Sequence, residues 1–144
     1  MLTNKSDNGV TNISKEQIHA LLKISLKIII AKDDEISLRV FEYLLKHIAS
    51  EKIITAVDGV EAVELAKSHS DTDIIIMDIY MPRLDGIEAT KEIRTFNKDV
   101  TIIAMTNSAQ ESVIAKFKEV GFDAYIVMPY TEEDILNVIF RLMH

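Results

Sequence analysis

Five apolar runs, at residues 26–31, 53–57, 74–77, 101–105 and 124–127, alternate with stretches of helical period, and this alternation predicts an α/β fold. No hairpin turn joins consecutive runs, so each crossover is a helix, and right-handed crossovers lay helices on both faces of a parallel sheet. The runs are rich in Ile and lack polar alternation, as strands buried on both faces require. The expected architecture is a doubly wound, five-stranded parallel sheet in one domain, since 144 residues at 48% hydrophobic suffice for one full core and not for two.

The elements follow in order. Residues 1 to about 13 are polar, with Asn4, Lys5, Ser6, Asp7, Asn8 and Gly9 in one cluster, and read as a flexible lead. Ser14 and Gln17 have capping-box spacing, and Ile18, Leu21 and Leu22 share a helical face, so a short helix is expected before the first strand. This divides the chain into a lead and helix at 1–24 and the α/β domain at 25–144. Helices are expected at 36–49, 59–68, 86–95, 108–120 and 131–143. Ser108 with Glu111 predicts the start of the fourth, Gly121 its end, and Thr131 before Glu132, Glu133 and Asp134 the start of the fifth. Asp58-Gly59 marks a turn before the second helix.

Charge and composition bound the function. A formal charge of −7 and a pI near 5.1 leave no basic face for phosphate contacts, so direct nucleic-acid binding is not expected. The absence of cysteine excludes disulfides and thiolate metal sites. Every apolar run is strand-length, and Lys23 and Lys27 interrupt the one before Asp33, so neither membrane insertion nor a signal peptide is expected. The expected location is cytoplasmic.

Asp78 ends the run Ile74-Ile75-Ile76-Met77, which delivers its carboxylate to the carboxyl end of a strand, where open α/β sheets build their sites. A second acidic group, Asp33-Asp34-Glu35, follows the run 26–31. Two strand ends can thus converge carboxylates on one hard cation, the pattern of an acidic, metal-assisted phosphoryl site. Asp34 and Glu35 also stand where they cap the next helix. His19, His47, His69 and His144 lack ligand spacing, and no glycine-rich phosphate cradle occurs.

At these residues the chain resembles the receiver domain of two-component response regulators and hybrid sensor histidine kinases, over essentially all of residues 25 to 143. The residues that carry the resemblance are Ile74 to Pro82 with Asp85-Gly86, Thr106 after Thr101 to Met105, and Gly121-Phe122-Asp123-Ala124-Tyr125 with Pro129. The resemblance implies a flavodoxin-like sheet of order 2-1-3-4-5, which sets Asp33 and Asp78 side by side at the switch point. It further implies that Asp78 accepts a phosphoryl group from a phosphohistidine on a histidine kinase or histidine phosphotransfer protein. Asp33, Asp78 and the backbone carbonyl of Tyr80 would hold Mg²⁺, Thr106 would bond a phosphoryl oxygen, and Tyr125 would be the switch aromatic.

Two positions depart from the family pattern. Lys32 stands where an acidic residue usually precedes the Asp33 position, and Met128 stands where a lysine usually precedes the proline after strand five. The usual three carboxylates and one lysine carry −2, whereas Asp33, Asp78 and Lys32 carry −1, so weak Mg²⁺ binding is expected. At an effective dielectric of about 20, one unit charge at ~4 Å is worth roughly 4 kcal/mol. Lys32 can also form an ion pair with Asp78 in the metal's place. The function expected is a phosphorelay receiver, with at most self-catalysed phosphotransfer and dephosphorylation as its chemistry. A phosphorylation-independent interaction module is the alternative, and a small Mg²⁺-dependent phosphatase ranks last, because Asp78-Ile79-Tyr80 lacks the second aspartate of the Asp-x-Asp phosphatases. Both a stand-alone receiver and a piece of a larger hybrid kinase fit the sequence.

Overall fold

The computed structural model describes Ser14, residues 26–49 and residues 52–143; apart from Ser14, the expected lead and first short helix lie outside the described residues. Its strands are β1 (Ile28–Ala31), β2 (Ile53–Ala56), β3 (Ile74–Asp78), β4 (Thr101–Thr106) and β5 (Ala124–Val127). The helices are α1 (Glu35–Ala49), α2 (Gly59–Ser68), α3 (Gly86–Phe96), α4 (Glu111–Val120) and α5 (Glu132–Met143). All pairings are parallel and the order is β2-β1-β3-β4-β5, as expected.

Period-two alternation sorts the strand side chains into two cores. Ile29, Ala31, Ile75, Met77, Ile102 and Ala104 face α2, α3 and α4, where they meet Ala62, Ala89, Ile93 and Phe117. Ile28, Ile30, Ile74, Ile76, Ile103 and Met105 face α1 and α5, where Phe41, Leu45, Leu136 and Ile139 close over them. Each large apolar side chain buried this way contributes about 1.5–3 kcal/mol, so β1, β3 and β4, covered on both faces, anchor the sheet.

The helix ends explain where the loops turn. Thr131 and Asp134 cap α5 reciprocally: the Thr131 N–H donates to Asp134 Oδ2 (2.8 Å) and the Asp134 N–H to Thr131 Oγ1 (3.1 Å). Gly121 ends α4 in the left-handed region at φ 116. The start of α4 differs from the expectation at Ser108. The Thr106 hydroxyl accepts from the Ser108 N–H and donates to the Ser108 carbonyl, so that residue is held in the loop. Its own Oγ accepts from the Gln110 N–H, and α4 begins only at Glu111.

At the opposite end of the sheet, Arg94 at the close of α3 binds the carbonyls of Val100 (2.7 Å) and Gly121 (2.8 Å) and the carboxylate of Asp123 (2.9 Å). One guanidinium thus joins α3, the entry to β4 and the α4–β5 turn.

Candidate functional site

The register places the site. Asp78 closes β3 opposite Met105, while β1 ends at Ala31 opposite Met77, so Lys32 lies beside Asp78 across the β1–β3 pair. The Lys32 N–H continues the ladder to the Ala56 carbonyl (3.0 Å). Gly86 fixes the other side of Asp78. A Cβ there would lie 2.2 Å from the Asp78 carbonyl oxygen, so only glycine lets the first turn of α3 pack onto the backbone of β3.

The loop that follows Asp78 is clamped to its neighbour. The Gly59 N–H donates to the Leu84 carbonyl (3.0 Å), and a Cβ on Gly59 would lie 2.1 Å from that oxygen. Arg83 adopts φ 66, an unfavourable backbone for a residue with a Cβ, and its Nε bonds Asp58 Oδ2 at 2.7 Å. Asp58 also caps α2 through the Glu61 N–H (2.8 Å). The hydrogen bond from Arg83 is the main reason its carboxyl lies below the ordinary value, and the cap adds to it. Tyr80, in the same loop, is 71% exposed and lines the cleft beside Thr106.

The Asp78 carboxylate is buried, and its partner is Lys32: Nζ lies 3.4 Å from Oδ2, with the two side chains 9% and 10% exposed. Burial pushes the Asp78 carboxyl above its ordinary value; the Lys32 charge and hydrogen bond oppose that, and the charge of Asp33 adds to it. Asp33 is exposed. Asp34 does cap α1, accepting from the Ile36 N–H (3.1 Å) and the Ser37 hydroxyl (2.5 Å), and the latter bond chiefly lowers its carboxyl below the ordinary value. Among the described residues no group of three or more His, Cys, Asp or Glu side chains forms a metal cluster. The donor types still fit Mg²⁺, which takes one or two carboxylates with carbonyl and water oxygens. The charge balance opposes it, because an ammonium faces one of the two carboxylates.

Thr106 is buried one residue beyond the Asp78 level on β4, with its hydroxyl engaged by Ser108. Tyr125 on β5 pairs in register with Ala104, is 8% exposed and lies in the core with Phe117. A cleft of about 240 Å³ opens beside Thr106 between Tyr80, Ile87 and Val113. The Met128 N–H donates to the Thr106 carbonyl (2.8 Å), which sets residue 128 at the site and leaves its side chain chargeless there.

Two features escaped the sequence reading. Tyr130, one residue past Pro129, packs edge-on against Phe41 of α1 at 5.2 Å, and its phenol is pushed up to about 12, by burial first and then by the Asp78 charge. An aromatic directly after the strand-five proline was the available signal. The second is a stripe on α1 of Ile36, Val40 and Tyr43, 75%, 53% and 63% exposed, at i, i+4 and i+7. Its spacing was legible, but the same spacing describes a core face. His69 ends α2 with its Nδ1 near the Ser68 hydroxyl and the Leu65 carbonyl, a structural role.

The family model of the response regulator receiver domain matches residues 28–140. The chain belongs to this family. The receiver domain is 43% identical over 84 residues to the chemotaxis protein CheY of Halobacterium salinarum, which covers 58% of this chain and 69% of that protein. It superposes with a TM-score of 0.72 and 28% identity on the receiver domain of the sensor histidine kinase PA1611 from Pseudomonas aeruginosa, over 81% of this chain and 96% of that one. That structure has magnesium coordinated in its active-site cleft. A third likeness, with TM-score 0.69 and 29% identity over 74% of this chain and 81% of that one, is to a Saccharomyces cerevisiae complex. It joins the histidine phosphotransfer protein Ypd1 to the receiver domain of its downstream regulator Ssk1. The chain spans only 23% of the Candida albicans transcription factor SKN7, to which it is 28% identical over 95% of its own length. Among the described residues no helix is long and apolar enough to cross a membrane.

Proposed function

We propose that this receiver domain takes a phosphoryl group onto Asp78 from a phosphohistidine of a histidine kinase or phosphotransfer protein. The observation that carries the reading is the placement of a buried carboxylate at the carboxyl end of the central strand, held there by the glycine contact of α3 and flanked by a second acid and an ammonium. In the transfer, an Asp78 carboxylate oxygen bonds to phosphorus and the P–N bond breaks. Its electron pair returns to the imidazole nitrogen, which takes up a proton from solvent.

Asp33, the Asp78 carboxylate and the Tyr80 carbonyl are the groups that would hold Mg²⁺, weakly because of Lys32. When bound, the ion neutralises charge on the transferring phosphoryl group. Thr106 turns from Ser108 toward a phosphoryl oxygen, and Tyr125 is the aromatic that reads that turn. The α1 stripe of Ile36, Val40 and Tyr43 follows Asp33 in the chain and offers an apolar docking face to the donor protein; that a receiver domain pairs with a histidine phosphotransfer protein has a precedent in the Ypd1–Ssk1 complex. A module acting through its surface alone is not favoured, since it has no use for a buried carboxylate paired with an ammonium. Incubation with a small acyl phosphate and Mg²⁺, followed by intact-mass spectrometry, should reveal one labile adduct that Asp78→Asn abolishes. An adduct that persists in this variant assigns the acceptor elsewhere.

A further inference from the structure

We propose that Lys32 is the cation that contacts the transferred phosphoryl group, supplying from the end of β1 the charge that Met128 cannot supply from beyond β5. The inference rests on Asp78 being the acceptor and names a residue that acts on the same phosphoryl group. Two observations converge on it. The Lys32 ammonium is buried and faces Asp78 Oδ2 at 3.4 Å. Residue 128 is held at the site by its backbone bond to Thr106 and carries an uncharged thioether.

The chemistry then moves the ammonium. Before transfer, the negative charge facing Lys32 sits on the Asp78 carboxylate. Once an Asp78 oxygen has bonded to phosphorus and the P–N pair has left with the imidazole, the carboxylate is one side of a mixed anhydride and has lost its charge. The phosphoryl oxygens now carry about two negative charges. A separation of 3.4 Å is at the outer limit of hydrogen bonding, so the pair is loose, and the flexible four-carbon stem lets Nζ follow the charge outward. An ammonium placed where charge develops stabilises the transition state more than the ground state. Lys32 therefore has two opposed effects: it weakens the attraction for Mg²⁺ and strengthens the hold on the phosphoryl group.

The test uses the full chain with acetyl phosphate at saturating Mg²⁺, so that differences in metal affinity drop out, and follows the Asp78 adduct by mass spectrometry. Lys32→Met is expected to slow adduct formation by about tenfold or more, as loss of one charged hydrogen bond implies. Lys32→Arg should retain part of the rate, and Met128→Lys added to Lys32→Met should recover most of it. A rate in Lys32→Met equal to or above that of the parent would overturn the proposal and make Lys32 a block on the site. Complete absence of an adduct in the parent would instead overturn the acceptor reading, and this proposal with it. Should Lys32→Met fail to fold, the unmodified protein decides: the Lys32 Nζ resonance is expected to shift when beryllofluoride binds, and an unmoved resonance refutes the contact.

Discussion

The two halves of the site are built from different materials. Along β3, β4 and β5, Asp78, Gly86, Thr106 and Tyr125 are placed by backbone register and close packing. At the two flanks, just past β1 and just past β5, Lys32 and Met128 stand where the receiver resemblance implies an acid and a lysine, and both departures change charge. Positions fixed by contact tolerate no exchange, because a Cβ on Gly86 has nowhere to go. Positions that contribute charge can be refilled from another strand, because a charge acts over several ångströms.

The largest effect expected is therefore on the packed side. Gly86→Ala should cost about 3 kcal/mol in urea unfolding, since the new methyl group collides with backbone and not with a flexible side chain. Met128→Lys, at a half-buried position, should stay within about 1 kcal/mol of the parent. Comparable losses in the two variants would erase the distinction drawn between the halves.

Next in size is the charged side. Lys32→Glu restores the usual acid and should tighten Mg²⁺ binding by about tenfold to a hundredfold in calorimetric titration, a modest share of the charge interaction at an effective dielectric near 20. Equal affinities would mean that the Lys32–Asp78 pair does not govern the metal.

Two aspartates at this end of the sheet should respond to pH with opposite sign. Asp78 holds its proton more tightly folded than unfolded, so its contribution to stability is fullest below the ordinary carboxylate value of 3.8 and declines as pH rises through the folded value. Asp58 has a lowered value, so its contribution is present above 3.8 and declines as pH falls through the folded value. Unfolding free energies of the parent minus those of Asp78→Asn should fall with rising pH, by at most about 1.4 kcal/mol per unit, and those referred to Asp58→Asn should rise. Parallel slopes would contradict the opposite environments described for the two groups.

The smallest effect concerns output. With Met128 at the site, beryllofluoride should produce small amide shifts around residues 106–116 and at Tyr125, and Met128→Lys should enlarge them, because a modification biases a two-state element only through its differential contacts. A full switch in the parent with no gain in Met128→Lys would show that coupling does not pass through residue 128.

Much of this was legible in the sequence. The five strands and their helices follow from apolar runs and turn residues, since burial on two faces demands unbroken hydrophobicity. The strand order came from the family likeness carried by residues 74–82, 85–86, 101–106, 121–125 and 129, and not from periodicity, which sets no neighbour relations. Ser108 misled because its cap spacing is local, whereas the Thr106 hydroxyl that claims its backbone belongs to the strand before it. The Asp58–Arg83 clamp joins groups 25 residues apart and leaves no short-range trace. The Lys32–Asp78 pair, raised as one option by the charge count, required the register of β1 on β3 to become a distance.

The apolar stripe on α1 also has a consequence for solution conditions. Ile36, Val40 and Tyr43 form an apolar ridge on a chain of formal charge −7, so mutual repulsion opposes the pairing of two copies through it. That repulsion fades near the sequence pI of 5.1 and is screened beyond about 3 Å in molar salt. Acidic or salty buffers are thus the ones in which self-association through this helix is expected, as an increase in apparent mass on size-exclusion chromatography.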